Sequence, residues 1–191
     1  MCHRWDMKPA PLFVVAGPTA VGKGTVVAAL RSKYPDLPLS ISATTRSPRP
    51  GEVHGVDYFF VTDSEFDKMV DRGDFLEWAV VHSIHRYGTP AAWVEVQRSL
   101  GKPVLLELDL AGARQVKRKI PDAVLVFIAP PAWEDLQRRL ASRGTETLEE
   151  QSRRLRTARE ELAASGEFNV VLVNHDVDRT AEELAQVMGL N

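Results

Sequence analysis

LFVVAGPTAVGKGT (Leu12–Thr25) is the stretch that decides the fold of this chain. Its leading apolar residues predict a buried β-strand, and the glycine-rich segment after them predicts a tight loop that opens a helix at Lys23. In such a loop the backbone N–H groups and the helix N-terminus face phosphate oxygens, and the lysine reaches the β- and γ-phosphates. The sequence therefore predicts a nucleoside triphosphate site. The expected contacts are Gly17, Pro18, Thr19, Ala20, Val21, Gly22, Lys23, Gly24 and Thr25.

One position of this loop departs from the usual pattern. A serine or threonine that binds Mg²⁺ commonly follows the lysine, whereas here Gly24 follows it and Thr25 comes next. Either Thr25 supplies the hydroxyl, or water alone completes that part of the octahedral shell, which Mg²⁺ tolerates because it dehydrates reluctantly. In both cases we expect Mg²⁺ to accompany the triphosphate.

The rest of the chain alternates short apolar runs with amphipathic segments. The predicted strands are Leu12–Ala16, Val104–Leu108, Ala123–Ile128 and Val170–Val173. The predicted helices are Lys23–Lys33, Pro90–Leu100, Ala111–Lys119, Trp133–Ser142, Leu148–Ala164 and Thr180–Met188. Unbroken apolar runs suit strands buried on both faces, so we expect an α/β fold with a parallel sheet core flanked by helices.

Composition narrows the range of partners for these 191 residues. The chain carries 24 Lys and Arg against 26 Asp and Glu, which does not suit a basic nucleic-acid binder. Its single cysteine cannot form an internal disulfide, and no apolar run is long enough to span a bilayer. We therefore expect a cytoplasmic protein with no nucleic-acid or membrane partner, and the sequence leaves the oligomeric state open.

The segment from Ser40 to Tyr87 breaks the alternation and predicts a small mixed insert. Strand-like pieces at Leu39–Ser42, Tyr58–Val61 and Leu76–Val81 are joined by turn-rich segments, and Phe59, Phe60 and Trp78 are expected to pack in its core. Its motifs are SATTRSPRPGE (Ser42–Glu52), GVDY (Gly55–Tyr58), FLEWA (Phe75–Ala79) and YGT (Tyr87–Thr89), followed later by DLAGA (Asp109–Ala113) and RGTE (Arg143–Glu146).

Taken in this order, the motifs resemble those of guanylate kinases over roughly residues 12 to 188. The resemblance implies a P-loop nucleoside monophosphate kinase fold with a GMP-binding insert and an arginine-rich lid. After a tail at residues 1–9, residues 10–191 would form one domain. Its parts would be the core (10–38, 89–137 and 165–191), the insert (39–88) and the lid (about 138–164). The implied activity is transfer of the ATP γ-phosphoryl group to GMP and dGMP in purine nucleotide metabolism.

The resemblance also assigns roles in the acceptor site. Arg46, Arg49 and Tyr58 would hold the GMP phosphate, because arginine forks suit bidentate contacts with oxygen, and Tyr87 would close over it from a Tyr-Gly-Thr turn. Glu77 would accept hydrogen bonds from guanine N1–H and N2–H₂, which adenine lacks. The contacts to guanine O6 would come from Ser42 and Thr89.

For several further candidate site residues the sequence allows both a functional and a structural interpretation. Glu107 and Asp109 point to the same face of a strand, and Asp109 either orders Mg²⁺ waters or touches guanine, or else caps the helix at Ala111. The resemblance makes the lid residues Arg138, Arg143 and Arg154 catalytic together with Lys23 and Arg46. The spacing of Glu149 with Arg153 and of Glu150 with Arg154 also fits surface ion pairs. Asn174 resembles an adenine contact, or is a turn residue.

Two other functions share parts of this pattern. A kinase of phosphorylated sugars would have the loop and the lid but would not need Glu77 and Ser42. A guanylate-kinase-like scaffolding domain would bind peptides without catalysis, but its phosphate loop is typically eroded. His82 and His85 lack a third ligand, so we read them as polar surface residues.

Overall fold

The computed structural model describes residues 8–81, 84–141 and 148–190, with side chains omitted at 148–151. The chain divides into two compact units. One contains residues 8–12 and 38–104 of the described chain, and the other contains residues 13–37 and 105–190. Within these ranges no helix combines the length and the apolar character that crossing a membrane requires.

Strands and helices alternate along most of the chain. The strands are β1 (Leu12–Ala16), β2 (Ala43–Thr44), β3 (Phe59–Phe60), β4 (Phe75–Val81), β5 (His85–Pro90), β6 (Val104–Glu107), β7 (Val124–Ala129) and β8 (Val170–Val173). The helices are α1 (Lys23–Lys33), α2 (Asp63–Arg72), α3 (Ala91–Ser99), α4 (Leu110–Lys119), α5 (Trp133–Ala141), α6 (Leu148–Ala163) and α7 (Val177–Met188), with a 3₁₀ turn at Ala164–Glu167.

The unit that carries the phosphate loop is built on a sheet with strand order β6-β1-β7-β8. The β1/β7 and β7/β8 pairs are parallel, and β1 is buried along its whole length. Helix α1 packs against α7. This is the predicted α/β core. The parallel pairing of β1 with β7 places Ala16, the last residue of β1, beside Phe127, two residues before the end of β7.

The other unit contains a mixed sheet with strand order β3-β2-β5-β4. Strand β2 is parallel to β3 and antiparallel to β5, and β4 is antiparallel to β5. Helix α2 follows β3, begins with a capping box between Thr62 and Glu65, and buries Phe66 against Phe75 with ring centroids 4.6 Å apart. The mixed insert is therefore confirmed, although the sequence analysis missed α2.

Several predicted boundaries were wrong. The strand expected at Leu39–Ser42 lies at Ala43–Thr44, and the expected Tyr-Gly-Thr turn is part of β5, where Tyr87 pairs with Thr44. Helix α7 begins three residues before Thr180, because Asp176 caps it by accepting from the Arg179 N–H. Trp78 remains 37% exposed, so it is only partly a core residue.

Candidate active site

The phosphate loop follows β1 and is packed closely against its neighbours. Gly17 has φ 151°, and a Cβ atom there would lie 2.3 Å from the carbonyl oxygen of Ile128 in β7. Gly22 has φ 97°, and a Cβ atom there would lie 2.8 Å from Asn174 Nδ2. Both positions therefore require glycine, for backbone conformation and for space.

Helix α1 presents its positive end at this loop. Gly22 occupies the N-cap position, so no side chain accepts from the first N–H groups of the helix, and the first turn contains no acidic residue. The N–H groups at a helix start carry partial positive charge and lack intrahelical partners. The local structure that Gly22 and Lys23 impose is therefore suited to an anion.

Lys23 folds back over the loop that precedes it. Its Nζ donates to the carbonyl oxygens of Gly17 at 2.5 Å and Pro18 at 3.2 Å. Burial lowers the pKa of Lys23, while the charges of Glu161, Glu107 and, to a smaller extent, Asp109 oppose that shift. The ammonium group thus lies within the curl of the loop, among carboxylates.

Three acidic side chains surround this lysine in different ways. Glu161 is buried in α6 and accepts from the Thr19 N–H at 3.4 Å, and burial raises its pKa. Burial also raises the pKa of Glu107, whose Oε1 would lie 3.5 Å from a Cβ atom at Gly24. Asp109 is the N-cap of α4 and accepts from the Gly112 N–H at 2.7 Å, so the capping reading describes its observed contact.

The Val21 carbonyl oxygen is held by two side chains. Asn174 Nδ2 and Arg139 Nη1 both donate to it at 2.9 Å, and Asn174 Oδ1 accepts from Thr180 Oγ1 at 3.2 Å. Asn174 is 2% exposed, so it is a buried support of the loop as well as a predicted adenine contact. The sequence analysis chose Arg138 and missed its neighbour Arg139.

The predicted lid arginines have different surroundings. Arg138 is exposed and forms an ion pair with Asp135 one helical turn away. Arg154 lies in α6 and is partly buried, whereas Arg143 lies outside the described residues. Of the two histidines considered, His85 belongs to β5 and His82 lies outside the described residues.

A pocket of about 340 Å³ lies beside the phosphate loop. Its lining combines loop backbone with polar side chains from α5 and from the segment after β8, so a heterocycle next to the phosphates would have both apolar and polar contacts. The lining residues are Ala20, Gly22, Thr25, Arg139, Asn174, His175 and Val177.

The other unit contains a buried carboxylate with a fixed partner. Glu77 in β4 is directly opposite Thr89 in β5, and Thr89 Oγ1 donates to Glu77 Oε1 at 2.6 Å. The exposed fractions are 7% for Glu77 and 0% for Thr89. Since the ladder register and the hydrogen bond both orient it, this carboxylate is preorganised to accept from a ligand. Ser42 precedes β2, and its carbonyl oxygen accepts from the Phe59 N–H.

A second cluster in this unit is built around Arg46. Its guanidinium carbon lies 5.4 Å from the Tyr58 ring centroid and 5.8 Å from that of Phe60, and Nε donates to Tyr87 Oη at 3.2 Å. Burial raises the pKa of Tyr58, whose ring meets that of Tyr87 edge-on. Phe60 was expected in the core, and here it contacts the Arg46 cation.

Arg46 has an acidic partner that the sequence analysis did not single out. Its Nη1 and Nη2 donate to Glu52 at 2.9 and 2.8 Å. The side chain of Arg49 is exposed, while its backbone N–H donates to Glu52 Oε2 at 2.7 Å. The structure thus brings together Arg46, Tyr58 and Tyr87 and adds Glu52 to them.

The donor set near the phosphate loop fits Mg²⁺ only as a partner of bound phosphates. Among residues 8–81, 84–141 and 148–190, no cluster of three or more His, Cys, Asp or Glu is arranged to hold a metal ion. Mg²⁺ is commonly bound by one or two protein oxygens, with phosphates and water completing the shell. The Thr25 hydroxyl and the Glu107 carboxylate are oxygens of that kind beside the loop.

Comparisons with known proteins agree over nearly the whole chain. The family model described as guanylate kinase matches residues 9–190. The chain is 58% identical over 177 residues to the guanylate kinase of Leifsonia xyli subsp. xyli, covering 93% of this chain and 70% of that protein. It is 56% identical over 178 residues to the guanylate kinase of Mycobacterium sp. (strain MCS), covering 93% and 90%.

Solved structures of kinases share the fold of this chain. The crystal structure of guanylate kinase from Anaplasma phagocytophilum superposes with a TM-score of 0.73 at 29% identity, covering 95% of this chain and 86% of that one. A sugar kinase from Janibacter sp. HTCC2649 gives a TM-score of 0.52 at 14% identity, covering 95% and 96%. At that identity the second similarity shows a shared fold alone.

Proposed function

Because this chain belongs to the guanylate kinase family and transfers the γ-phosphoryl group of ATP to GMP, we propose that its two clusters divide the substrates between them. The phosphate loop and the pocket beside it take ATP, and the cluster on the mixed sheet takes GMP. The products are ADP and GDP, and dGMP is accepted as well. Since the single cysteine fits a reducing compartment, we also propose a cytoplasmic location.

The ATP side is assigned from charge and backbone geometry. The N–H groups of the loop from Gly17 to Thr25 bind the phosphates, and Lys23 exchanges its loop carbonyls for the β- and γ-phosphates. Arg139 and Asn174 keep the loop in place through the Val21 carbonyl oxygen, and Asn174 also borders the base.

The observation that carries the acceptor assignment is the Glu77–Thr89 pair. A buried carboxylate favours a ligand that brings N–H donors, and guanine N1–H and N2–H₂ supply two of them. Ser42 serves O6, whereas Thr89 donates its hydroxyl proton to Glu77 and acts on guanine through that carboxylate. Arg46, Arg49, Tyr58 and Tyr87 hold the phosphate, while Asp109 is assigned to guanine or to metal-bound water by family resemblance alone.

The chemistry needs charge stabilisation more than a general base, because the acceptor phosphate is already ionised. Lys23 and Arg46 hold the donor and acceptor phosphates, and we assign Arg138, Arg143 and Arg154 to stabilising the charge of the migrating group. Thr25, and Asp109 and Glu107 through water, would hold Mg²⁺. When bound, that ion neutralises charge between the β- and γ-phosphates.

A coupled ADP-release assay tests the assignment of the acceptor. The acceptors are GMP, dGMP, AMP, CMP, UMP and a phosphorylated sugar, each at fixed ATP and Mg²⁺. We expect turnover with GMP and dGMP and very little with the others. Preference for the phosphorylated sugar would contradict the role of Glu77, and turnover with none of the acceptors would favour a binding module.

A further inference from the structure

The guanidinium of Arg46 is almost fully engaged before any substrate arrives. Arginine has five N–H donors. Within the described residues, Nε donates to Tyr87 Oη, Nη1 to Ser47 O at 2.7 Å and to Glu52 Oε2, and Nη2 to Glu52 Oε1. The Glu52 carboxylate therefore occupies the Nη1/Nη2 edge of Arg46, one of the two edges through which a guanidinium binds a phosphate in bidentate fashion, and Tyr87 accepts from Nε on the other.

Arg46 does not depend on Glu52 alone for its position. The Tyr58 and Phe60 rings flank the guanidinium, and Tyr87 and the Ser47 carbonyl accept from it. Glu52, for its part, is tied to the backbone of Arg49 in both directions. If the carboxylate moved away, the rings and the two acceptors would still hold Arg46, with its bidentate edge open.

The charges in this cluster suit an exchange of anions. Arg46 and Arg49 together carry two positive charges, and Glu52 neutralises one of them. Displacing Glu52 by a monoanion would replace one negative charge with another, so little electrostatic free energy would be gained. Displacing it by a dianion brings two negative charges to two positive ones, and the attraction is stronger.

We propose that Glu52 is a placeholder for the acceptor phosphate: it occupies the Nη1/Nη2 edge of Arg46 in the empty site, yields that edge to the phosphate of GMP, and thereby lowers the affinity for that phosphate. This inference rests on the proposed role of Arg46. It makes Glu52 a residue that sets how tightly the GMP site binds the phosphate.

The ionisation of the substrate shows whether the site binds the phosphate as a dianion. The second pKa of a phosphate monoester is about 6, so GMP changes from dianion to monoanion as the pH falls through that value. Glu52 faces Arg46 and Arg49 from its own loop, Tyr58 from the segment before β3 and, across Arg46, Tyr87 from β5. Arginine and tyrosine ordinarily titrate well above this range. The hydrogen bonds from Arg46 lower the pKa of Glu52, so its carboxylate stays charged.

The experiment measures binding of GMP and of guanosine to the full chain by calorimetry, without ATP, at pH 7.5 and 5.5. Guanosine lacks the phosphate, so the ratio of GMP affinity to guanosine affinity isolates the phosphate site from any titration at the base. With a phosphate pKa of about 6, the dianion population falls about fourfold between the two pH values. We expect the ratio to fall with the dianion population in both proteins, and to be about tenfold higher in Glu52→Gln than in the wild type at pH 7.5, because no carboxylate then competes for Arg46.

Two further variants separate the outcomes. Glu52→Asp keeps the competing charge and should keep the ratio close to the wild-type value. Arg46→Ala should reduce GMP affinity almost to that of guanosine, and unchanged GMP binding in that variant would refute the phosphate site itself. If Arg46→Ala behaves as expected, an unchanged ratio in Glu52→Gln at pH 7.5 would overturn the placeholder. So would a tenfold loss of GMP affinity at both pH values, because Glu52 would then be a permanent support of Arg46.

Discussion

Thr89 Oγ1 donates to Glu77 Oε1 at 2.6 Å across the antiparallel β4/β5 pair, and both side chains are buried. The contact fixes a carboxylate on a rigid strand, and it uses the only hydroxyl proton that Thr89 has. Glu77 is thereby left as an acceptor for a ligand that brings N–H groups. This relationship underlies the guanine preference proposed for the site.

Glu77→Gln should relax the discrimination between GMP and AMP. The amide replaces one acceptor by a donor and removes the charge, and a hydrogen bond to a charged group contributes about 1.5–3 kcal/mol, so kcat/KM for GMP should fall roughly 10- to 150-fold. Steady-state kinetics with GMP and AMP measure the change. Thr89→Ser, which keeps the hydroxyl, is the matched control, and an unchanged GMP/AMP ratio in Glu77→Gln would remove Glu77 from base recognition.

Lys23→Ala should abolish phosphoryl transfer while leaving the fold intact. Lys23 donates only to carbonyl oxygens of its own loop in the described contacts, so its loss costs little packing, whereas losing one preorganised charge donor lowers kcat by about 10²- to 10³-fold. Turnover by coupled assay and thermal unfolding together measure both effects. Lys33→Ala, which removes an exposed lysine of the same helix paired with Glu182, is the control. Wild-type turnover in Lys23→Ala would refute the mechanism.

Gly17→Ala should destabilise the protein. The added Cβ atom would lie 2.3 Å from a backbone oxygen, and φ is 151°, so the start of the loop must shift. Strain of this kind costs about 1–3 kcal/mol in the free energy of unfolding, which urea denaturation measures. Gly166→Ala is the control, because its Cβ atom would meet nothing within 4 Å. Equal stability of the two variants would contradict the close approach of Gly17 to the Ile128 carbonyl oxygen.

The phosphate loop was predictable because its parts are contiguous. A buried strand, three glycines and Lys23 fall within fourteen residues, and the backbone conformation follows from local sequence. The start of α2 is also determined by local sequence, since Thr62 and Glu65 form a capping box. The segment around it is rich in turn residues, so the sequence analysis did not predict a helix there. Errors at strand ends, such as Leu39–Ser42, arose because pairing partners decide where a strand is regular.

Contacts that depend on the path of a loop or on the rotation of a helix could not be predicted in the same way. Glu52 is six residues from Arg46 in a turn-rich segment, where a glutamate is most often solvated, and only the path of the loop shows their pairing. The choice between Arg138 and Arg139 depends on the rotation of α5 about its own axis. That rotation is set by the burial of Leu136 and Leu140, and it directs Arg139 to the Val21 carbonyl.

The neighbouring arginines of α5 provide the last prediction. Arg139→Ala removes a donor to the Val21 carbonyl and part of the lining of the pocket beside the loop, so it should raise KM for ATP about tenfold, the effect of roughly one hydrogen bond, with little change in KM for GMP. Arg138→Ala is the matched comparison, because it breaks only an exposed ion pair with Asp135 in the described contacts. It should leave KM for ATP unchanged and lower kcat, in line with its proposed role at the migrating phosphoryl group. A raised KM for ATP in Arg138→Ala together with wild-type kinetics in Arg139→Ala would mean that α5 presents its other face to ATP.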